Sequence, residues 1–197
     1  MLPPFFSPGP ISFPAPPIHL AAVNKYMSRL AGELCDGLRL HPIATFRYTA
    51  DVIMPAVAAG AVKGGRDKSA VEIIGAPFLA IAADAAGVAA AVASAKRRIA
   101  FYASTRTYHS VLQHHGWDDV GQQLHECSLQ GKWTEMPKLI TDDMLDEFAI
   151  VGTYDTLAEQ LRRRCGGVFD TVLLDLPSEL RRDRDRVQEI VRSVRAN

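Results

Sequence analysis

Asn24 occupies the position at which chemistry is most directly suggested. It stands between a short apolar run, Ile18 to Val23, and a stretch whose apolar residues Tyr26, Met27, Leu30, Ala31 and Leu34 recur at helical spacing. Prolines precede the run, which reads as a buried parallel strand. A strand that turns directly into a helix points backbone N–H groups at whatever lies above the sheet, and such a helix start is a natural anion site. Asn24 is a good N-cap, and Asp36-Gly37 supplies a helix end at which Gly37 takes the left-handed conformation.

Other residues offer chemistry with alternatives attached. His41 follows Leu40 at the end of a second strand and precedes Pro42. Its ring either faces a site above the sheet or simply packs and caps within a loop. Tyr102, Ser104 and Thr105 fall in a polar, aromatic stretch, Tyr102 to Tyr108, that either lines a pocket or merely ends a helix. His114-His115 resembles a metal pair, but adjacent helical residues point in different directions and no carboxylate stands at ligand spacing, so no metal is expected. Asp142-Asp143 and Asp146-Glu147 read as an acidic helix start rather than as paired catalytic acids. No Ser/His/Asp motif, Walker loop or Gly-x-Gly-x-x-Gly occurs.

Composition bounds these readings. The 197 residues are 48% hydrophobic, enough for one sizeable core. Lys+Arg and Asp+Glu both number 22, and the zero formal charge argues against a nucleic-acid partner. Cys35, Cys127 and Cys165 are far apart, without a Cys-x-x-Cys pair, so neither a disulfide framework nor a zinc site is expected, and Cys35 and Cys165, in helical patterns, read as small core residues in a reducing cytoplasm. Residues 1–17 are apolar but rich in proline and lack a basic start, which is not the pattern of a signal peptide. The Ala-rich stretch Ala76 to Ala95 is interrupted by Asp84, so no membrane span is expected.

The elements that must position the candidates follow in order. Residues 1–17 form an irregular lead-in. After the unit from Ile18 to Asp36 comes a strand over Leu38 to Ile43, then a helix over Arg47 to Val62, capped by Thr45 or Thr49 and kinked at Pro55. Gly64 to Asp67 is a turn. A single strand is expected over Val71 to Ala82, followed by an Asp84-capped helix to Phe101 with Lys96, Arg97 and Arg98 in its last turns. Helical stretches cover His109–His115, Asp118–Leu129, Trp133–Ile140 and Asp142–Phe148. Val151 to Thr156 opens a helix that runs from Leu157 to Cys165 and breaks at Gly166-Gly167. The last strand is Asp170 to Pro177, and Ser178 caps a charged surface helix that reaches Val194. The order is α/β with four parallel strands and right-handed crossovers, half of what a (β/α)₈ barrel needs.

Two stretches carry a family resemblance. The first is the strand and turn ending Ala22-Val23-Asn24 with the helix reading Leu30-Ala31-Gly32 and then Asp36-Gly37. The second is Val151-Gly152-Thr153-Tyr154-Asp155 before a helix, then Gly166-Gly167-Val168-Phe169-Asp170-Thr171-Val172. In this order and about 110 residues apart, they resemble the fifth strand and helix and the closing helix and strand of the luciferase-like monooxygenase superfamily. Arg97 to Thr105 and His115-Gly116-Trp117 are similar to a mycobacterial and actinobacterial subgroup of its deazaflavin-dependent members. The resemblance spans roughly Pro3 to Pro177.

The resemblance implies a (β/α)₈ barrel of which residues 18–177 are the C-terminal half, residues 178–197 being an added charged helix. It implies a flavin- or deazaflavin-dependent oxidoreductase or monooxygenase acting on a small organic substrate, with coenzyme F420 favoured and FMN as the alternative. Carried over by position, the cofactor phosphate falls on Ala22, Val23, Asn24 and Met27, while His41, Tyr102, Ser104 and Thr105 become pocket candidates. Nothing here corresponds to the family's first four strands. A truncated form is therefore expected, one that pairs as a homodimer or with a missing N-terminal half to cover its bare sheet edges. Two other readings remain beside it: a half-barrel that is a non-catalytic assembly module or inactive fragment, and an unrelated doubly wound α/β protein that holds phosphate at the Asn24 helix start.

Overall fold

The computed structural model of the chain describes residues 13–196. Of the lead-in, residues 1–12 lie outside the described residues, and residues 13–17 are exposed and irregular. The chain then runs β1 (His19–Ala22), α1 (Lys25–Leu34), β2 (Gly37–Leu40), α2 (Phe46–Tyr48), a π-helical turn over Thr49–Ile53, and α3 (Met54–Lys63). There follow β3 (Glu72–Gly75), β4 (Phe78–Ala82), α4 (Ala85–Ala103), α5 (His109–His114), α6 (Asp118–Leu129), α7 (Asp142–Phe148), β5 (Ala149–Thr153), α8 (Leu157–Cys165), β6 (Thr171–Val172), α9 (Ser178–Arg182) and α10 (Arg184–Arg195).

All strand pairs are parallel. The sheet order is β1-β2-β3-β6, with His19 opposite Gly37, Gly37 opposite Glu72 and Ile74 opposite Thr171. A second, two-stranded sheet pairs β4 with β5, Phe78 lying opposite Ala149. This is the parallel α/β arrangement expected of a partial barrel, with the strand count corrected from four to six among the described residues.

Two departures account for the correction. Val71 to Ala82 is not one strand: Pro77 has no N–H for a ladder, and the chain breaks at Ala76-Pro77 and changes sheets. Val151 to Thr153 does not open a helix. It completes β5, where Ala149 and Ile150 are fully buried against the core.

Helix ends also differ in places from the sequence-based expectation. Thr45 accepts from the Tyr48 N–H at 3.0 Å and Asp84 from the Gly87 N–H at 2.8 Å, so both caps form as expected. Gly37 is not a left-handed terminator. Cys35 ends α1 in extended backbone, and Gly37 begins β2, where an added Cβ would meet the His19 ring at 2.9 Å. α4 continues to Ala103, which leaves Lys96 to Arg98 mid-helix rather than in its last turns. Pro55 lies in the first turn of α3, directly after the π turn that absorbs the distortion. The last strand is only Thr171–Val172, and the closing helix is two: Asp183, not Ser178, caps the longer one by accepting from the Arg186 N–H at 2.9 Å.

The core explains why α1 is held so firmly. Ile53 and Val57 are fully buried together with Ala31, Leu38 and Ile73. α1 crosses α3 at near backbone contact: a Cβ on Gly32 would fall 2.1 Å from the Val57 oxygen, and one on Gly60 would fall 1.9 Å from the Arg29 oxygen.

A histidine pins α2 to the segment after α5. His115 stacks on Trp117 at 4.1 Å, its Nε2 lies 2.7 Å from Thr45 Oγ1, and its Nδ1 meets the Arg47 guanidinium. An arginine can only donate, so Nδ1 accepts and the neutral ring donates from Nε2 to Thr45. Burial, with Arg47 and His114 beside it, pushes the His115 pKa down to about 4. The folded ring therefore stays neutral over a range where the unfolded ring, at about 6.5, takes up a proton. Stability is expected to be fully present above about pH 6.5 and to fall as pH drops toward 4. Melting temperatures measured across that window should fall less steeply for His115→Gln than for the parent. Equal slopes would remove His115 as the cause.

Candidate functional site

β1 and β2 end side by side, and their C-terminal ends form the floor of an open pocket of about 470 Å³. Ala22, Val23, Asn24 and Met27 line it from the first βα turn, His41 from the end of β2, and Tyr108 from the short 3₁₀ turn after α4. Thus all four residues assigned to cofactor phosphate by resemblance, and His41 with them, share one cavity. Arg39, exposed on β2, supplies a cation at the same wall.

The geometry of Asn24 departs from the capping expectation. Its backbone takes the N-cap conformation, but its side chain makes no capping hydrogen bond. Instead Nδ2 donates to the Thr107 carbonyl at 3.3 Å, and Oδ1 accepts from Ser110 Oγ at 2.8 Å. The first-turn N–H groups of α1 are consequently left without a capping oxygen among the described residues, and a helix start in that condition attracts an anion. Ala21 and Ala22 add little bulk beside it. The donor set, the dipole and the nearby arginine together fit a phosphate-bearing group.

His41 is half-buried, and burial lowers its pKa, so the ring is neutral at ordinary pH. The Ile43 N–H donates to Nδ1 at 3.2 Å. With the ring in that orientation the proton sits on Nε2, which then serves as a hydrogen-bond donor. Tyr102 meets the ring edge-on at 4.6 Å, and Tyr108 stacks on it at 4.9 Å with 22° between the planes.

The remaining candidates separate. Tyr102 lies in the last turn of α4 rather than in a loop, and does not line the pocket but packs behind His41 and Tyr108. Ser104 is buried and donates to the Phe101 carbonyl at 2.7 Å, ending the helix instead of lining the pocket. Thr105 is exposed and absent from the pocket wall. Tyr108 and Ser110 were not singled out in sequence. The aromatic loop hinted at the first, whereas the second follows only from its 86-residue separation being closed by folding.

Elsewhere His114 pairs with Asp51 at 3.0 Å, and Asp142-Asp143 forms the first turn of a helix capped by Thr141. Among the described residues no cluster of three or more His, Cys, Asp or Glu converges as for a metal, and no helix is long and apolar enough to cross a membrane. A larger groove of about 970 Å³ lies between α8, β6 and α10, but holds none of the candidate residues.

The luciferase-like monooxygenase family matches residues 3–171. The chain belongs to that family. An uncharacterised protein of Mycobacterium tuberculosis is 44% identical over 170 residues, which cover 86% of this chain and 50% of that protein. A 5,10-methylenetetrahydromethanopterin reductase of Archaeoglobus fulgidus is 27% identical over 161 residues, 79% of this chain and 45% of that one. The solved structure of the coenzyme F420-dependent tetrahydromethanopterin reductase from Methanopyrus kandleri superposes with a TM-score of 0.66 at 23% identity, over 81% of this chain and 45% of that one. The chain spans about half the length of the relatives it matches.

Proposed function

We propose that this chain carries the coenzyme-phosphate portion of a deazaflavin-dependent oxidoreductase that acts on a small organic substrate. The observation that carries the reading is the helix start at Asn24, with its capping side chain drawn aside, opening into the same pocket as His41 and Arg39. Family membership supplies the reaction class, and the family's F420-dependent member gives the deazaflavin precedence over FMN.

In this reading the N–H groups of Lys25, Tyr26 and Met27 hold the phosphate, and Arg39 adds charge complementarity. His41 donates from Nε2 to an acceptor on the ring or the substrate. Tyr108 and Met27 exclude water from one side. When bound, the deazaflavin supplies hydride transfer, and the protein supplies position and polarity. A second copy, or a further length of barrel in the same enzyme, covers the exposed β1 edge, beside which Ile18 (66% exposed) and Tyr26 (77%) stand in solvent. That flank also suits a purely assembling module, the alternative to which absence of any coenzyme binding would point.

Amide resonances test the reading directly. Adding coenzyme F420 to the ¹⁵N-labelled chain should shift Asn24 to Met27 and His41, and leave the α8 and α10 signals in place. Shifts confined to α8 and α10, or none, would overturn it.

A further inference from the structure

We propose that Tyr108 is a positioning residue of this pocket: the Asn24 side chain clasps the chain on both sides of Tyr108, holding its ring on His41, so that His41 presents a fixed N–H donor to an acceptor oxygen of the ligand. The inference rests on the site proposed above and names the ligand group it takes, a carbonyl-type or anionic oxygen.

Three observations carry it. Asn24 grips the backbone at Thr107, in the short 3₁₀ turn that carries Tyr108, and the side chain of Ser110, in the first turn of α5, so its contacts bracket Tyr108. Tyr48 reaches the same serine at 3.5 Å, so the clasp is braced from α2. His41 is then confined on three fronts: Tyr108 lies on its face, Tyr102 against its edge, and the Ile43 N–H on Nδ1. A ring held this way has one tautomer and one orientation. Nε2, which has no hydrogen-bond partner among the described residues, is the donor that remains for a ligand. A ligand offering only a donor at that point would face N–H against N–H and be rejected.

The test uses the full chain. Imidazole ¹⁵N shifts of His41, recorded without ligand, should report the Nε2–H tautomer alone in the parent and in Tyr108→Phe, which keeps the stack. Tyr108→Leu and Ser110→Ala should lose that single-tautomer signature. Ser110 does not itself line the pocket and meets it only through Asn24, so its variant guards against a Tyr108 variant that fails to fold. For coenzyme F420, weakening of about 3- to 10-fold is expected for Tyr108→Leu, with recovery in Tyr108→Phe. If His41 keeps one sharp tautomer in both Tyr108→Leu and Ser110→Ala, the proposal is overturned. A lost signature in those variants supports it even where F420 fails to bind, in which case only the deazaflavin assignment falls.

Discussion

Replacing Gly60 with alanine is expected to lower the stability of the protein by about 2 kcal/mol and to weaken the pocket with it. The added methyl would meet the Arg29 carbonyl at 1.9 Å, and that neighbour is backbone, which cannot rotate away. α1 and α3 must therefore separate, at an overpacking cost of about 3 kcal/mol or more. The better helix propensity of alanine returns only about 1 kcal/mol. For a chain of this size the net loss lowers the melting temperature by roughly 4–8 °C. Because α1 begins in the pocket, Gly60→Ala should also weaken ligand binding from a distance. Val62→Ala is the control: two residues along the same helix, with a side chain 78% exposed, it should change stability by about 0.5 kcal/mol or less. Thermal melts of the two variants side by side decide whether the crossing is as close as described.

Asn24→Asp is expected to move stability and binding in opposite directions. A carboxylate cannot donate to the Thr107 carbonyl, so the clasp opens and the side chain is free to turn back over α1. There it caps the helix and complements the dipole, a gain of about 1 kcal/mol. The same negative charge then occupies the anion position. With two charges near 4 Å interacting by about 4 kcal/mol at a protein surface, affinity for a phosphate-bearing coenzyme should drop well over tenfold. Denaturant titration and a binding isotherm on one preparation would check both signs. A variant that lost stability and binding together would point to simple misfolding instead.

The unit that carries the site was legible because its pattern is local. An apolar run, a turn and a 3.6-residue period from Tyr26 to Leu34 need no distant partner to be recognised, and the caps at Thr45 and Asp84 are short-range hydrogen bonds. What was missed depends on contacts far apart in sequence. Val71 to Ala82 is rich in β-branched residues in its first part, and only the exchange of sheet partners at Pro77 divides it. Ala149 to Thr153 has the composition of a strand, but its helix-like flanks disguised it, and its partner lies about 70 residues away. Asn24 has the right type for a cap. Ser110 and Thr107 outbid the helix for its side chain, a competition that no local pattern reveals. Ser104 and Tyr102 both leave the pocket-lining loop expected of them for one reason: α4 runs two residues further than expected, so the helix end consumes the serine and directs the tyrosine onto His41.

The central claim is that the turn from Ala22 to Met27 holds a coenzyme phosphate, and a fluorescence titration addresses it most directly. The purified chain would be titrated with coenzyme F420, with FMN in parallel and Asn24→Asp beside the parent. The account predicts saturable, micromolar binding of F420 in preference to FMN, lost in Asn24→Asp although that variant remains folded. Binding of neither coenzyme, or binding that Asn24→Asp leaves unchanged, would contradict it.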